Sequence, residues 1–462
     1  MNKNNLNNKT LKFIETWPKS VELSAISDVT TQLQEATKKD IVFYGLNGHE
    51  AEIKLKHRLK VASPALLVTY GAEPHQSLYA EHIHLTPAEA KEYILLLSMS
   101  LYPIKNKKHK LVAITGTNGK TSCVGLCAQL VSAYRENVFS LGTLGLRDAR
   151  GETVVEGRLT TPGVPELRKI LMNLPQNSIV FIEASSHALH QNRLEGLSFT
   201  TGGWTSFGHD HLDYHKGLEQ YFKAKTKIFE ICNNHVFTLK SQKTLNNKLQ
   251  EAGFNPQIIS LLIFEDIKHL GPVFNVDFNI ENLSLAKAIA ENILGNEINL
   301  KTFKDLALPP GRMTTIEYGT KLVVIDYAHT PDALDNVCRA LRQGFGDREL
   351  WVVFGCGGDR DKTKRPLMMK VVEKYSENII VTSDNPRTED PLNIIEDILS
   401  GSEYEHGYEV DRASAIKLGM ISAPEKAVVL IAGKGHEEYQ EVGSQRLAFS
   451  DSDTVYEVIK GS

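Results

Sequence analysis

Residues 115–122 read T-G-T-N-G-K-T-S, a glycine-rich run that ends in Lys120, Thr121 and Ser122. Such a run can hold phosphate. Backbone N–H groups from Gly116, Thr117, Asn118, Gly119 and the start of the following helix face the anion, Lys120 adds a point charge, and Thr121 can bind Mg²⁺. The common spacing, G-x-x-x-x-G-K-[ST], places a glycine where Ile114 stands; the nearest one, Gly116, comes two residues late. Further residues suit work on a phosphate. Glu183 ends the apolar run S-I-V-F-I-E-A, and His211 lies in H-D-H-L-D-Y-H. Oxygen and imidazole donors of these types fit a divalent ion. The plainer reading makes Glu183 a helix cap and His211 a packed loop residue. Lys225 falls on one helical face with Tyr221, Phe222 and Phe229, where a lysine either extends its tip to solvent or sits desolvated. Lys223 and Lys227 read as surface residues.

These groups need a scaffold that carries them to one edge. "LVAIT", "SIVFIEA", "KLVVIDYA", "ELWVVFG", "NIIVTSD" and "AVVLIAG" read as buried strands, each followed by polar or glycine-rich residues and usually a helix. That alternation predicts parallel α/β sheets with ligands at the carboxyl ends of the strands. In the first part of the chain, "DIVFYGL" and "PALLVTYG" are expected strands and "TPAEAKEYILLLSMSLY" an expected helix. "YPIKNKKHK" and "LALPPGR" mark junctions, which divide the chain into residues 1–106, 107–308 and 309–462. The expected fold class is α/β in three domains: a small N-terminal α/β domain, a central P-loop ATPase-like parallel-sheet domain and a C-terminal Rossmann-like domain.

Composition narrows the partners. A formal charge of −4 gives no electrostatic reason to expect nucleic acid. The polar start, "MNKNNLNNKTLKF", lacks the apolar core of a signal peptide, and no apolar run is long enough for a bilayer. Five cysteines without a C-x-x-C pair fit a reducing compartment. A cytoplasmic monomer without membrane insertion is expected.

The shortened loop resembles the ATP loop of the Mur ligase family. The resemblance continues through "LTTPGVPEL", "IEASSHALHQNRL", "HDHLDYHKGLEQYFKAK", "GRMTTI", "VIDYAHTPDAL", "FGCGGDRDKTKRP", "SDNPRTEDP", "DRASAI" and "IAGKGHEEYQ", in the family's order. It implies an ATP- and Mg²⁺-dependent amide ligase of peptidoglycan synthesis. The activity implied is addition of meso-diaminopimelate to UDP-N-acetylmuramoyl-L-alanyl-D-glutamate through an acyl-phosphate. Residue by residue, it implies metal binding by Thr121, Glu183, His211 and Lys225, the last as a carbamate formed with CO₂. Asn282, Arg312, Asp326, His329 and Lys364 match residues near ATP. Thr160, Thr161, Ser185, Gln191 and Arg193 match the residues that hold the muramoyl-peptide; without the family, the two threonines read equally as caps before Pro162. Asp384, Asn385, Arg387, Gly433 and Glu437 match the amine site. Arg387, with Arg360 nearby, supplies a planar fork for the distal carboxylate that separates diaminopimelate from lysine. D-N-P is also a good turn sequence, and the plainer reading makes Arg387 a surface residue of that turn.

The chain departs from the family pattern in places. "SAISDVTTQ" has Asp28 but no Ser-Arg after it, the span between Ile231 and Phe274 is short, Ser206 replaces the usual asparagine, and Thr314 the usual glutamate. Two other readings stay open: a Mur-family or folylpolyglutamate-type ligase for a different acid and amine, and a non-catalytic nucleotide-binding regulator.

Overall fold

The computed structural model describes residues 6–461, apart from 76–77, 105–106, 234 and 444. Three larger sheets follow one another along the chain. The first contains β1 (Asp28–Thr30), β2 (Asp40–Leu46), β3 (Leu66–Gly71) and β4 (His82–Leu85), all parallel and paired in chain order. β2 and β3 are near-continuous apolar runs because helices cover both faces of a parallel sheet. The expected helix is Pro87–Leu101. Thr86 starts it with a reciprocal capping box to Glu89, and proline occupies the first turn, where its missing N–H costs nothing. The boundary expected at 106–107 touches residues 105–106, which lie outside the described residues.

The central sheet contains β5 (Lys110–Thr115), β6 (Val138–Gly142), β7 (Gly145–Asp148), β8 (Thr153–Val155), β9 (Ile179–Glu183), β10 (Phe199–Trp204), β11 (Val236–Leu239) and β12 (Gln257–Ile259). Its order is β12-β11-β10-β5-β9-β6-β7-β8, parallel except for the β6-β7-β8 meander. From β5 the chain crosses over β9 to β6; later it returns past β5 to β10. The crevice at the end of β5 is therefore a topological switch point, the usual ligand position in an open α/β sheet. Helices Lys120–Ser132 and Asp277–Leu294 bury their apolar residues together against this sheet. Helix Leu218–Ile231 packs Phe222, Ile228 and Phe229 into a second apolar cluster, with Leu111 and Ala113 of β5.

The third sheet contains β13 (Thr314–Tyr318), β14 (Lys321–Asp326), β15 (Leu350–Phe354), β16 (Asn378–Thr382), β17 (Gly407–Glu409) and β18 (Val428–Ala432). Its order is β13-β14-β18-β15-β16-β17, and only the edge strand β13 runs antiparallel. A short hairpin, β19 (Tyr439–Val442) and β20 (Gln445–Ala448), follows. The α/β reading holds, with parallel strands at the heart of the central and C-terminal sheets. No helix among the described residues is long and apolar enough to cross a membrane.

Candidate active site

The phosphate loop leaves β5 at Thr115. Gly116 has φ +151° and Gly119, the cap of helix Lys120–Ser132, has φ +85°. A Cβ on Gly116 would lie 1.8 Å from Thr205 Oγ1, and one on Gly119 2.3 Å from Asn282 Oδ1. The late glycine is thus required where it stands: it lets the loop pass under the chain leaving β10. That chain braces the loop. Thr117 N donates to the Ser206 carbonyl (2.9 Å), Asn118 N to Ser206 Oγ (3.0 Å), and Thr205 Oγ1 to the Asn118 carbonyl (2.5 Å). Lys120 Nζ donates to the carbonyls of Gly116 and Thr117 at 2.9 and 2.8 Å. Burial lowers its pKa, against the pull of Glu183 and Asp210.

Glu183 is buried at the end of β9 and does not cap the next helix; Ser185 does, accepting from Ala188 N. The Glu183 carboxylate accepts from Thr143 N (2.9 Å) and Thr143 Oγ1 (3.3 Å) and passes over Gly142, where a Cβ would come within 2.0 Å of Oε1. Thr160 and Thr161 do not cap either, because Gly163 is the cap of helix Val164–Asn173. Instead Thr161 Oγ1 donates to the Glu183 carbonyl (2.5 Å) and Thr160 Oγ1 meets Thr143 Oγ1 (3.1 Å). Arg193 donates to the Thr161 carbonyl (2.7 Å) and grips Gln191 Oε1 with Nε and a terminal nitrogen, while Gln191 reaches Tyr214.

His211 is half exposed, with φ +53°, and its Nε2 lies 3.4 Å from Asp210. Burial opposes the charge of Asp210, but His211, His329 and Lys120 together hold its carboxyl below the usual range. Lys225 is 1% exposed and does not reach solvent: its Nζ donates to the Gly116 carbonyl at 2.7 Å, with the Tyr221 ring 4.7 Å away. Burial, then the charge of Lys120, pushes its pKa well below that of an ordinary lysine. Lys223 is exposed, and Lys227 donates to Asn192 Oδ1.

The C-terminal sheet closes the other side. Arg312 donates to Thr121 Oγ1 (3.1 Å) and lies over the Tyr327 ring at 4.8 Å. Asp326, at the end of β14, accepts from Met313 N and Ala328 N, both at 2.8 Å, and burial raises its pKa. His329 meets the Tyr327 carbonyl (2.8 Å), and burial lowers its pKa. A cavity of about 930 Å³ lies between the two sides. Thr117–Ser122, Thr160, Glu183, Asp210, His211, Asn282, Arg312, Asp326 and His329 all line it. Lys225 sits behind the loop, and Lys364 behind His329, whose carbonyl it reaches at 3.0 Å. Thr143 and Asp210 are additions that only the folded structure supplies, although H-D-H was a signal for the second.

The expected amine-site residues gather elsewhere, at the ends of β16 and β18. The fully buried pair Arg412–Asp451 (2.8 Å) ties the carbonyls of Ser383 and Ala432 together there. Asp384 Oδ2 crowds Gly433, φ +119°, where a Cβ would stand 2.6 Å away. Asn385 donates to Glu437 (2.9 Å) and accepts from the buried Lys434 (3.0 Å), which also pairs with Glu437 at 2.9 Å. Arg387 is no free surface residue: its Nε pairs with Glu441 at 2.9 Å. Arg360 is exposed on the neighbouring loop. Lys434 and Glu441 were not among the expected site residues.

At the N-terminal side, the Asp28 carboxylate is engaged by Tyr102 and Lys169, and Glu166 accepts from Thr30 Oγ1 (2.8 Å) and Thr31 N (2.7 Å). Asp28, Thr30, Glu166 and Lys169 border a second cavity of about 380 Å³. His49, Glu52 and His75 cluster apart from it, where Lys56, 2.8 Å from Glu52, already supplies a cation.

Two family models match: the Mur ligase middle domain over residues 114–264, and the Mur ligase glutamate ligase domain over residues 311–435. Among curated relatives, UDP-N-acetylmuramoyl-L-alanyl-D-glutamate–2,6-diaminopimelate ligase of Leptospira interrogans is 36% identical, over 76% of either chain. Its counterpart from Clostridium tetani is 31% identical, over 92% of this chain and 93% of its own. Among solved structures, a ligase of the same description superposes with TM-score 0.51 at 28% identity, over 94% of this chain and 95% of that one. MurF ligase from Thermotoga maritima in complex with ADP gives TM-score 0.58 at 14% identity, over 95% and 98%, a likeness of fold.

Proposed function

The chain belongs to the Mur ligase family, and from that premise we propose that it joins meso-diaminopimelate to UDP-N-acetylmuramoyl-L-alanyl-D-glutamate in peptidoglycan synthesis. The reaction is an ATP-dependent, ADP-forming amide ligation. The observation that carries the reading is one cavity lined from the central side by the phosphate loop, Glu183 and Asp210, and from the C-terminal side by Arg312, Asp326 and His329. A carboxylate oxygen of the acid attacks the γ-phosphorus, the bond to the bridging oxygen of ADP breaks, and an acyl-phosphate forms. The free amine of diaminopimelate then attacks the acyl carbon and phosphate leaves. Lys120, Arg312 and the N–H groups opening helix Lys120–Ser132 bind the charge that develops on the transferring phosphoryl group. Closure of the C-terminal side over the loop excludes water from the acyl-phosphate.

We assign Mg²⁺ to Thr121, Glu183 and His211, which line the same cavity. The buried Glu183 carboxylate spends two of its roughly four acceptor positions on Thr143, which leaves capacity for a cation. When bound, the ion supplies Lewis-acid charge to the phosphoryl oxygens. We assign Lys225 as a carbamate. Its burial behind the loop, on the Gly116 carbonyl, keeps a second ammonium from being stable so close to Lys120 and supports conversion to an anionic ligand. We further read domains at 1–106, 107–308 and 309–462 and a cytoplasmic monomer; the buried free thiols of Cys123, Cys127, Cys232, Cys338 and Cys356 suit a reducing compartment.

The test is ADP release measured with UDP-N-acetylmuramoyl-dipeptide and a panel of amines. Release should require acid and amine together. Diaminopimelate should exceed lysine by about 100-fold or more in kcat/KM, because lysine lacks the carboxylate that the amine site pairs. Efficient use of lysine with diaminopimelate poor, or turnover only with another acid, would overturn the assignment.

A further inference from the structure

Arg387 has φ +53° in the turn after β16, and the β19–β20 hairpin folds back onto it. Its backbone N–H donates to the Glu441 carbonyl (3.0 Å), and its own carbonyl accepts from Gly443 N (2.7 Å). The side chain is held as well. Nε pairs with Glu441 Oε2 at 2.9 Å, and one terminal nitrogen donates to the Gly358 carbonyl at 2.8 Å. The second oxygen of Glu441 takes Arg446, at 3.1 and 3.2 Å, and Arg446 lies over the Tyr439 ring at 4.2 Å. Glu441 therefore binds Arg387 through one oxygen and one edge. A guanidinium has five N–H groups; Glu441 and Gly358 use two, leaving the other terminal nitrogen and one further N–H to meet a carboxylate. Arg446 offsets the charge of Glu441, so the Arg387–Glu441–Arg446 row keeps a net positive charge toward an incoming anion.

We propose that Glu441 is a positioning residue for the amine substrate: it sets the guanidinium plane of Arg387 so that its remaining edge takes the distal carboxylate of diaminopimelate. The inference rests on the proposed role of Arg387. A flexible arginine loses conformational freedom when it binds; a fork already held at Nε loses less, so the gain appears in substrate affinity rather than in the chemical step.

The experiment is initial-rate kinetics on the full chain, with E441A, E441Q, R446A and R387A compared with the unmutated enzyme and melting temperatures measured for each. E441A should raise the KM for diaminopimelate about tenfold and leave the KM for ATP and kcat within about twofold. E441Q keeps an acceptor oxygen for Nε and should recover most of the loss, which a general effect on folding would not do. R446A leaves the Arg387–Glu441 contact in place and should raise the same KM only about two- to threefold. A normal KM in E441A, alongside a raised one in R387A, overturns the inference while the role of Arg387 stands. A normal KM in R387A overturns that role and the inference with it. A lowered KM in E441A would make Glu441 a competitor of the substrate and also overturn the proposal.

Discussion

At the phosphate loop, cations rest on neutral partners: Lys120 and Lys225 on loop carbonyls, Arg312 on the Thr121 hydroxyl. At the ends of β16 and β18, cations rest on carboxylates: Arg387 on Glu441, Lys434 on Glu437. The two clusters thus store charge differently. At the first, Lys120 and Arg312 hydrogen-bond to neutral groups, although Glu183, Asp210 and Asp326 line the same cavity. A polyphosphate bound there would take these two cations without breaking an ion pair. The second pairs cation with carboxylate, and the substrate proposed for it is a zwitterion. Binding must exchange internal pairs for pairs with the ligand, so the net gain is small and selectivity depends on geometry.

The largest effect should come from removing a cation of the first cluster. Lys120→Ala should cut kcat/KM by about 10³-fold or more, because the lost charge acts on the transferring phosphoryl group. Its melting temperature should hold, since Lys120 bonds only to its own loop among the contacts described. Near-normal turnover would end the phosphate-loop reading. Lys225→Ala comes next, with a loss of about 100-fold as a ligand to the metal disappears. Formate or acetate should restore part of the activity, and intact mass measured near neutral pH should show one added CO₂ on the unmutated chain only. An unmodified lysine in the active, metal-loaded enzyme would remove the carbamate.

The strands of this fold were legible wherever apolar β-branched runs stood between polar punctuation, as in β5, β9, β14, β15, β16 and β18. β10 was not read as a strand. Its sequence, F-T-T-G-G-W, looks like a turn, yet Gly202 and Gly203 are there because a Cβ would lie 2.9 Å from Cys232 Sγ and 2.6 Å from Ile289 Cδ1. Tight packing of helices on both faces gives a central strand the composition of a loop. The antiparallel edge β13 was hidden for another reason: direction is a property of pairing, and no residue in T-T-I-E-Y carries it. Within the site, the phosphate loop was legible because its chemistry is local. The partner of Arg387 was not, because Glu441 reaches it only once the hairpin folds back beside the turn after β16; Lys434 pairs locally with Glu437, three residues on, and was passed over.

The smallest effect should come from the brace under the loop, where Ser206 stands in place of the asparagine usual in the family. Ser206 acts on Asn118 from two sides: its Oγ accepts from Asn118 N at 3.0 Å and donates to the Asn118 carbonyl at 3.1 Å, while its own carbonyl holds Thr117 N. Ser206→Ala removes only the side-chain pair. The loop keeps Thr205 on the Asn118 carbonyl and the backbone bond from Thr117, so it should stay folded but lose part of its preset shape. Of the two bonds removed, the one to the Asn118 carbonyl is backed by Thr205, so the uncompensated loss is the bond from Asn118 N, worth about 0.5–1.5 kcal/mol, or roughly two- to tenfold in an equilibrium constant. That loss should fall on the KM for ATP and leave the KM for diaminopimelate unchanged, the reverse of the pattern expected for Glu441→Ala. A shift in both constants together would mean that the loop and the strand ends of the C-terminal sheet are not separately organised, and would undo the contrast between cations held on neutral groups and cations held in ion pairs.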